Sequence, residues 1–388
     1  MPQKRAPKEI ATRIKSELQK ATSGRGLVTL ALVVLGQVAF EHYVFHSVLH
    51  VNDWDLSIIA KAYQRMATLG FRSTEPTYTS IIEVTSWDRT SGICNKREYL
   101  NRILLKVLEQ HPVAVVATYT LSPEEICSNQ ETDRLLKTVH DGCKSIPIVF
   151  GHDLGKNYEV AAHIDISGGK CATGYTNPED DYRRLPLVIH GEPDAGQSLS
   201  WTAASLTKPE LKDKPLIRDS LRDGSPLYSS VFSTLDFHDR TITDAELFSN
   251  RDSKPATITG RVVVIGGFDG DGILNTSAGP LQGHLVHASY IESFLDRRLF
   301  RVIPECGHIL ISMLFWLWVD FTSLLLLPIG WRGALLALCC LTIALAALLI
   351  AAVLLIQFFG YYNDFSTVSI SGLAIWLITS IRAVFHGH

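Results

Sequence analysis

Four long apolar stretches stand out against an otherwise ordinary mixture of apolar and polar positions, one near the start of the chain and three crowded at its end. A helix needs about 20 apolar residues to cross a bilayer core. Residues 26–46, 308–327, 333–359 and 365–381 meet or approach that length, and all four are expected to be transmembrane helices. The first follows a basic head, as a secretory signal would. No A-x-A-like cleavage site follows its apolar run, so it reads as an uncleaved anchor.

Residues 47–307 between the first two spans carry the periodicities of a folded domain. Leu56, Ile59, Ala60, Tyr63 and Met66 recur at helical spacing behind Asp53 and Asp55, which predicts a helix just beyond the first span. Residues 78–85 (YTSIIEVT) predict a strand, and 97–110 a helix with Leu100, Leu104, Val107 and Leu108 on one face. Residues 113–119 (VAVVATY) predict a buried strand, 129–141 a helix closed by Gly142, and 146–150 a third strand. Strands alternating with helices in this way form a parallel sheet with covering helices. The expected fold class is therefore α/β, with a mixed, mostly parallel sheet, attached to a four-helix transmembrane region. From 158 to 243 the pattern weakens to short strands (159–166, 185–189), a helix near 199–206 and long loops. A second clear unit follows: a strand at 261–266, a turn-rich loop at 267–283 and a helix at 286–297.

Charge sets the orientation. Seven basic residues (Lys4, Arg5, Lys8, Arg13, Lys15, Lys20 and Arg25) precede the first span against Glu9 and Glu17, so head 1–25 is expected in the cytoplasm. Arg332 and Arg382 give the turn after the second span and the tail 382–388 the same side, while the 360–364 turn has Asp364 and no basic residue. Residues 47–307 are then external. Arg297, Arg298 and Arg301 run against the rule, which a large translocated domain tolerates. Within the head, Ile10, Ile14 and Leu18 suit either a basic helix lying on anionic lipid or a solvated tail. A formal net charge of −3 gives no reason to expect nucleic acid. Neither head nor tail has room for an output domain, so any signal is expected to leave through a separate cytoplasmic or membrane protein.

Few residues suggest chemistry, and none suggests an enzyme or a cofactor. The run from Gly266 to Gly272 is not GxGxxG. Its Asp269 and Asp271 are spaced as in a calcium loop, but Pro280 stands where such a loop needs glutamate; with His287 they are candidate ligand-binding residues, against the plainer roles of turn and packing. His42, His46 and His50 form one helical stripe at the outer mouth of the first span, a candidate metal or pH-sensing group, or simply interfacial polar residues. Asp320 lies near the middle of the second span, where a carboxylate is costly unless neutral or partnered. Thr342, Ser371 or a second copy of the chain could partner it, for coupling, permeation or helix–helix contact. Cys94, Cys127, Cys143 and Cys171 fall in the external domain, where disulfides form. Cys94–Cys127 is the expected bond, since both follow the carboxyl ends of neighbouring strands.

The layout of one span, a large external α/β domain and three closely spaced spans resembles the second type of CHASE domain, an extracellular sensory module of bacterial signalling proteins. The residues that carry the resemblance are Gly260-Arg261-Val262-Val263-Val264-Ile265-Gly266-Gly267, then Asp271, Gly279-Pro280, Gly283, His287-Ala288, Phe294-Leu295, Arg298-Leu299 and Pro304. Two segments depart from it. Where the family has an acidic residue and a Trp-Pro-Trp-type turn, this chain has Val84-Thr85-Ser86-Trp87-Asp88, and where it has an aspartate, this chain has Thr118-Tyr119-Thr120. The resemblance implies a sensor in a bacterial plasma membrane; contact with membrane lipids and a homo-oligomer are expected alongside it. An oligomerising membrane effector and a structural envelope protein are the alternatives.

Overall fold

The computed structural model describes most of residues 75–326 and 331–362 and a few residues elsewhere; 124–128, 155–162, 177–186, 189–195, 230–234, 250–257 and 269–271 are among those outside the described set. The chain divides into two compact units, one of Leu56–Arg301 and one of Met1–Asp55 with Val302–His388.

In the first unit the chain order is β1 (Thr79–Glu83), α1 (Ile93–Leu108), β2 (Ala114–Thr120), α2 (Asn129–Cys143), β3 (Ile148–His152) and β4 (Cys171–Tyr175). There follow α3 (Leu199–Thr207), α4 (Pro215–Asp223), β5 (Tyr228–Ser229), β6 (Thr241–Thr243), α5 (Asp244–Phe248) and β7 (Val262–Gly266). The short strands β8 (Ile273–Thr276) and β9 (Gly279–Gln282), α6 (Gly283–Leu295) and β10 (Leu299–Val302) complete it. Residues 57–62 are helical, as the spacing behind Asp55 predicts, with Ile59 and Ala60 buried.

Among the described residues six strands form one parallel sheet in the order β4-β3-β2-β7-β1-β6. Strands covered on both faces are apolar at every position rather than at alternate ones, as VVVIG in β7 and AVVA in β2 are. Ile82, Val115, Ile148, Phe150, Val263 and Ile265 pack under Leu100, Ile103, Leu104 and Val107 of α1 and Leu135 and Val139 of α2. Ile81, Val116, Val149, Val262 and Val264 pack under Trp201, Ala203 and Ala204 of α3 and Val286, Tyr290, Ile291 and Phe294 of α6. The result is an α/β/α sandwich. Helix α6 is buried on almost every side, Gly283 through Leu295 with only Leu285 part-exposed.

Two departures from the sequence reading have local causes. The 267–283 loop contains a hairpin, β8 paired antiparallel to β9. Strand β4, which the apolar pattern of Cys-Ala-Thr-Gly-Tyr does not announce, is held by a disulfide from Cys171 to Cys143 with Cα atoms 5.3 Å apart.

The second unit contains α7 (Glu305–Leu326) and α8 (Trp331–Phe359). Among the described residues one helix, Gly333–Ile356, is long and apolar enough to cross a membrane, and Cys306–Val319 is a shorter apolar helix. Phe315, Trp316 and Val319 of α7 pack with Leu341 of α8 and with Trp376. Leu310, Leu314, Leu317 and Phe321 of α7, and Leu335, Ile343, Ile350 and Leu354 of α8, are exposed. The span expected at 26–46 lies outside the described residues, and that at 365–381 is described at only a few positions.

Candidate functional site

In an open parallel sheet the natural cleft lies outside the carboxyl ends of the strands, where neighbouring strands send their connections to opposite faces. That place is unambiguous here. β1 and β2 lead into α1 and α2 on one face, whereas β7, which lies between them, leads to α6 on the other. The segments that leave β1, β7 and β2 therefore frame one crevice.

Aromatic rings pack beneath it, with Trp87 and Phe268 buried in the core. Trp87, in a 3-10 turn after β1, meets the Phe268 ring edge-to-face at 4.8 Å between centroids and the Tyr119 ring at 5.2 Å. Tyr119 and Phe268 stand 5.3 Å apart. The Lys96 ammonium, on the first turn of α1, lies 5.0 Å from the centre of the Trp87 ring, a cation–π contact. Gly267 makes the close approach possible. Its φ is +89°, and a Cβ there would lie 3.2 Å from both the N and the O of Val84, so β7 can turn out of the sheet beside β1 only with glycine. Further along the same edge, His152 and His163 stack at 5.0 Å, and Asp153 accepts hydrogen bonds from the Thr120 and Thr176 hydroxyls.

A buried carboxylate fixes the β1 side of the crevice. Asp244, fully buried, accepts from the Thr85 hydroxyl (2.8 Å), the Ser86 amide (2.9 Å), the Tyr99 hydroxyl (2.7 Å) and the Ala245 amide (2.9 Å). Burial alone would push its carboxyl up. The bonds from Tyr99, Thr85 and Ser86 outweigh that and hold it below the usual aspartate value. For Tyr99, burial and the bond to Asp244 act together and raise the phenol to about 12. All four donors are structural, which makes Asp244 a brace for the crevice wall rather than a reactive group.

The candidate residues from the sequence fare differently. His287 is buried between α6 and α3, its Nδ1 3.0 Å from the Ser200 hydroxyl. Asp269 and Asp271, the stripe His42, His46 and His50, and Cys127 lie outside the described residues. Asp320 falls inside α7, its side chain outside the described set. The Thr342 hydroxyl, one of its possible partners, is exposed and donates to the Leu338 carbonyl of its own helix. Cys94 is disulfide-bonded, and Cys306, Cys339 and Cys340 are free. Among the described residues no group of three or more His, Cys, Asp or Glu side chains is placed to hold a metal ion.

The aromatic trio itself was not foreseen. Trp87 and Tyr119 come from the two segments in which the sequence departs from the CHASE pattern, and the fold brings those segments together. The available signal was positional: each ring sits at or just beyond the carboxyl end of a strand.

No curated protein and no solved structure matches the chain. The profile of the CHASE2 domain matches residues 29–324, well over half of its length and the whole of the α/β unit. The chain belongs to the CHASE2 domain family, a family of extracellular sensory domains.

Proposed function

We propose that this chain is a membrane-anchored sensor whose domain of residues 47–307 is external, meets its ligand or partner at the crevice framed by β1, β7 and β2, and passes the change to a separate output protein. The observation that carries this reading is the CHASE2 match over residues 29–324. The crevice supports it with a location, because neighbouring strands send their connections to opposite faces there, while the buried aromatic rings and the engaged polar groups beneath it hold its walls. Sensing requires that the stimulus favour one of two arrangements of the domain over the other. Membrane attachment accounts for the exposed leucines and isoleucines of α7 and α8, which would form a large apolar patch in water. In this reading the four spans put both termini in the cytoplasm, and copies of the chain associate through them. Asp320 supports a second reading, an oligomeric effector that disturbs or conducts across the membrane, because a carboxylate amid apolar residues suits a permeation path.

Two measurements test the proposal. A cysteine placed at Ser225 should react with an impermeant maleimide in intact cells, and one at Ser16 only after permeabilisation; reaction at Ser16 in intact cells overturns the topology. Overproduction of a sensor should leave the membrane potential intact. A collapse of the potential that Asp320→Leu prevents replaces the sensor by the effector.

A further inference from the structure

The chain enters β1 through Pro76–Thr79 and leaves the α/β unit through α6 and β10. β1 starts and α6 ends at the amino edge of the sheet, the edge opposite the crevice. There the incoming backbone is gripped from both sides. The Glu292 carboxylate of α6, 1% exposed, accepts from the Thr77 amide (2.6 Å), the Tyr78 amide (3.1 and 3.0 Å to its two oxygens), the Thr79 amide (2.9 Å) and the Thr79 hydroxyl (2.7 Å). Arg261, just ahead of β7, donates to the carbonyls of Pro76 (3.2 Å) and Thr77 (2.6 Å). The Tyr78 carbonyl takes the Val262 amide at 2.9 Å, and the Tyr78 ring lies 4.1 Å from the Lys208 ammonium. One anion thus serves three consecutive amides, and one cation serves two consecutive carbonyls.

Starting a parallel strand requires nothing so costly, because water can satisfy its first amides. A buried carboxylate is tolerated only when it is hydrogen-bonded throughout, and all five of these bonds come from the incoming segment. Helix α6 supplies the other half of the argument. It begins at Gly283, on the chain that leaves the crevice through β7 and the β8–β9 hairpin, ends at the clasp, and is packed on almost all sides, so it moves as a rigid piece.

We propose that Glu292 is a clasp that makes the incoming and outgoing connections of the α/β unit open and move as one. Resting on the sensory reading above, this is the device by which a change at the carboxyl edge reaches both connections together.

Hydrogen exchange of the full chain in lipid nanodiscs, read by mass spectrometry in mild denaturant, tests it. In the parent the amides of Thr77–Thr79 and of Leu299–Val302 should share one opening equilibrium. In Glu292→Gln the Thr77–Thr79 amides should exchange about tenfold faster, with β3 unchanged. Arg301→Ala removes the 2.9 Å ion pair that pins β10 to Asp223. In the parent background it should quicken exchange at both connections, and in Glu292→Gln at Leu299–Val302 alone. If Glu292→Gln does not fold, Thr79→Val, which deletes only the hydroxyl bond, should weaken the same transfer. Independent opening of the two segments in the parent, or transfer of the Arg301→Ala effect that survives the loss of Glu292, overturns the clasp. No ligand enters the experiment, so the clasp and the sensory reading stand or fall separately.

Discussion

The disulfide between Cys143 and Cys171 should account for a sizeable part of the stability of the α/β unit. It joins the last residue of α2 to the first of β4 across a sequence separation of 28. Cross-linking a loop of that length removes about 12 cal/mol/K from the unfolded chain, or about 3.6 kcal/mol at 25 °C. Domains are held by only about 5–15 kcal/mol in all, so losing the bond should lower the denaturation midpoint markedly. The two residues are 2% and 7% exposed, which hides the sulfur atoms from a reductant until the structure opens. The assay is urea unfolding of the full chain in nanodiscs, followed by tryptophan fluorescence, for the oxidised parent, the reduced parent and Cys143→Ala/Cys171→Ala. The oxidised form should be the most stable, and in native buffer the thiols should appear no faster than the domain unfolds. Equal midpoints with and without the bond would refute the loop argument, and rapid reduction of this bond in native buffer would refute the buried placement. A non-reducing peptide map of the same sample is expected to join Cys94 to Cys127.

The Tyr99–Asp244 pair predicts opposite limbs of a stability–pH profile. Asp244 sits below its ordinary 3.8, so its contribution is present above that pH and is lost as pH falls through the folded-state value. Tyr99 is raised from 10.0 to about 12, so its contribution is present below pH 10 and is lost as pH rises through about 12. Tyr99→Phe should flatten the alkaline limb of a thermal-unfolding series, and an unchanged limb would assign it elsewhere. Gly267→Ala should cost about 1–3 kcal/mol from its left-handed backbone alone, with additional displacement of Val84, and the Trp87 fluorescence should shift as the crevice opens. A variant with the parent's stability and spectrum would remove glycine's role at the β1–β7 approach.

The strands most legible in the sequence are those covered on both faces, where the run is largely apolar. VVVIG in β7 and AVVATYT in β2 are observed within a residue or two of their predicted bounds. Ends governed by backbone conformation were harder to place. Helix α1 starts at Ile93, four residues before the expected start at 97, and Gly92 at φ +76° precedes it without a side-chain cap. Strand β4 has too little apolar area to be noticed, and its place beside β3 is set by five paired residues and by the bond from Cys171 to Cys143. The crevice was hidden for a different reason: Trp87, Tyr119 and Phe268 are far apart in the chain, and only the strand order β2-β7-β1 makes them neighbours. Asp244 and Glu292 look like surface acids when read along the chain, since burial and partners are properties of the packed state.

The strand order also governs how the domain can be made. Among the described residues β1 pairs only with β6 and β7, both synthesised near the far end of the domain, and β2 has β3 on one side but waits for β7 on the other. As the chain emerges, two apolar strands are present long before the strand that belongs between them. Loop closure over such distances is slow, and unpaired apolar strands are prone to misassembly. Biogenesis of this domain is therefore post-translational in character: a nascent chain that stops short of residue 266 lacks the central strand of its sheet, and should need chaperone protection until that strand arrives.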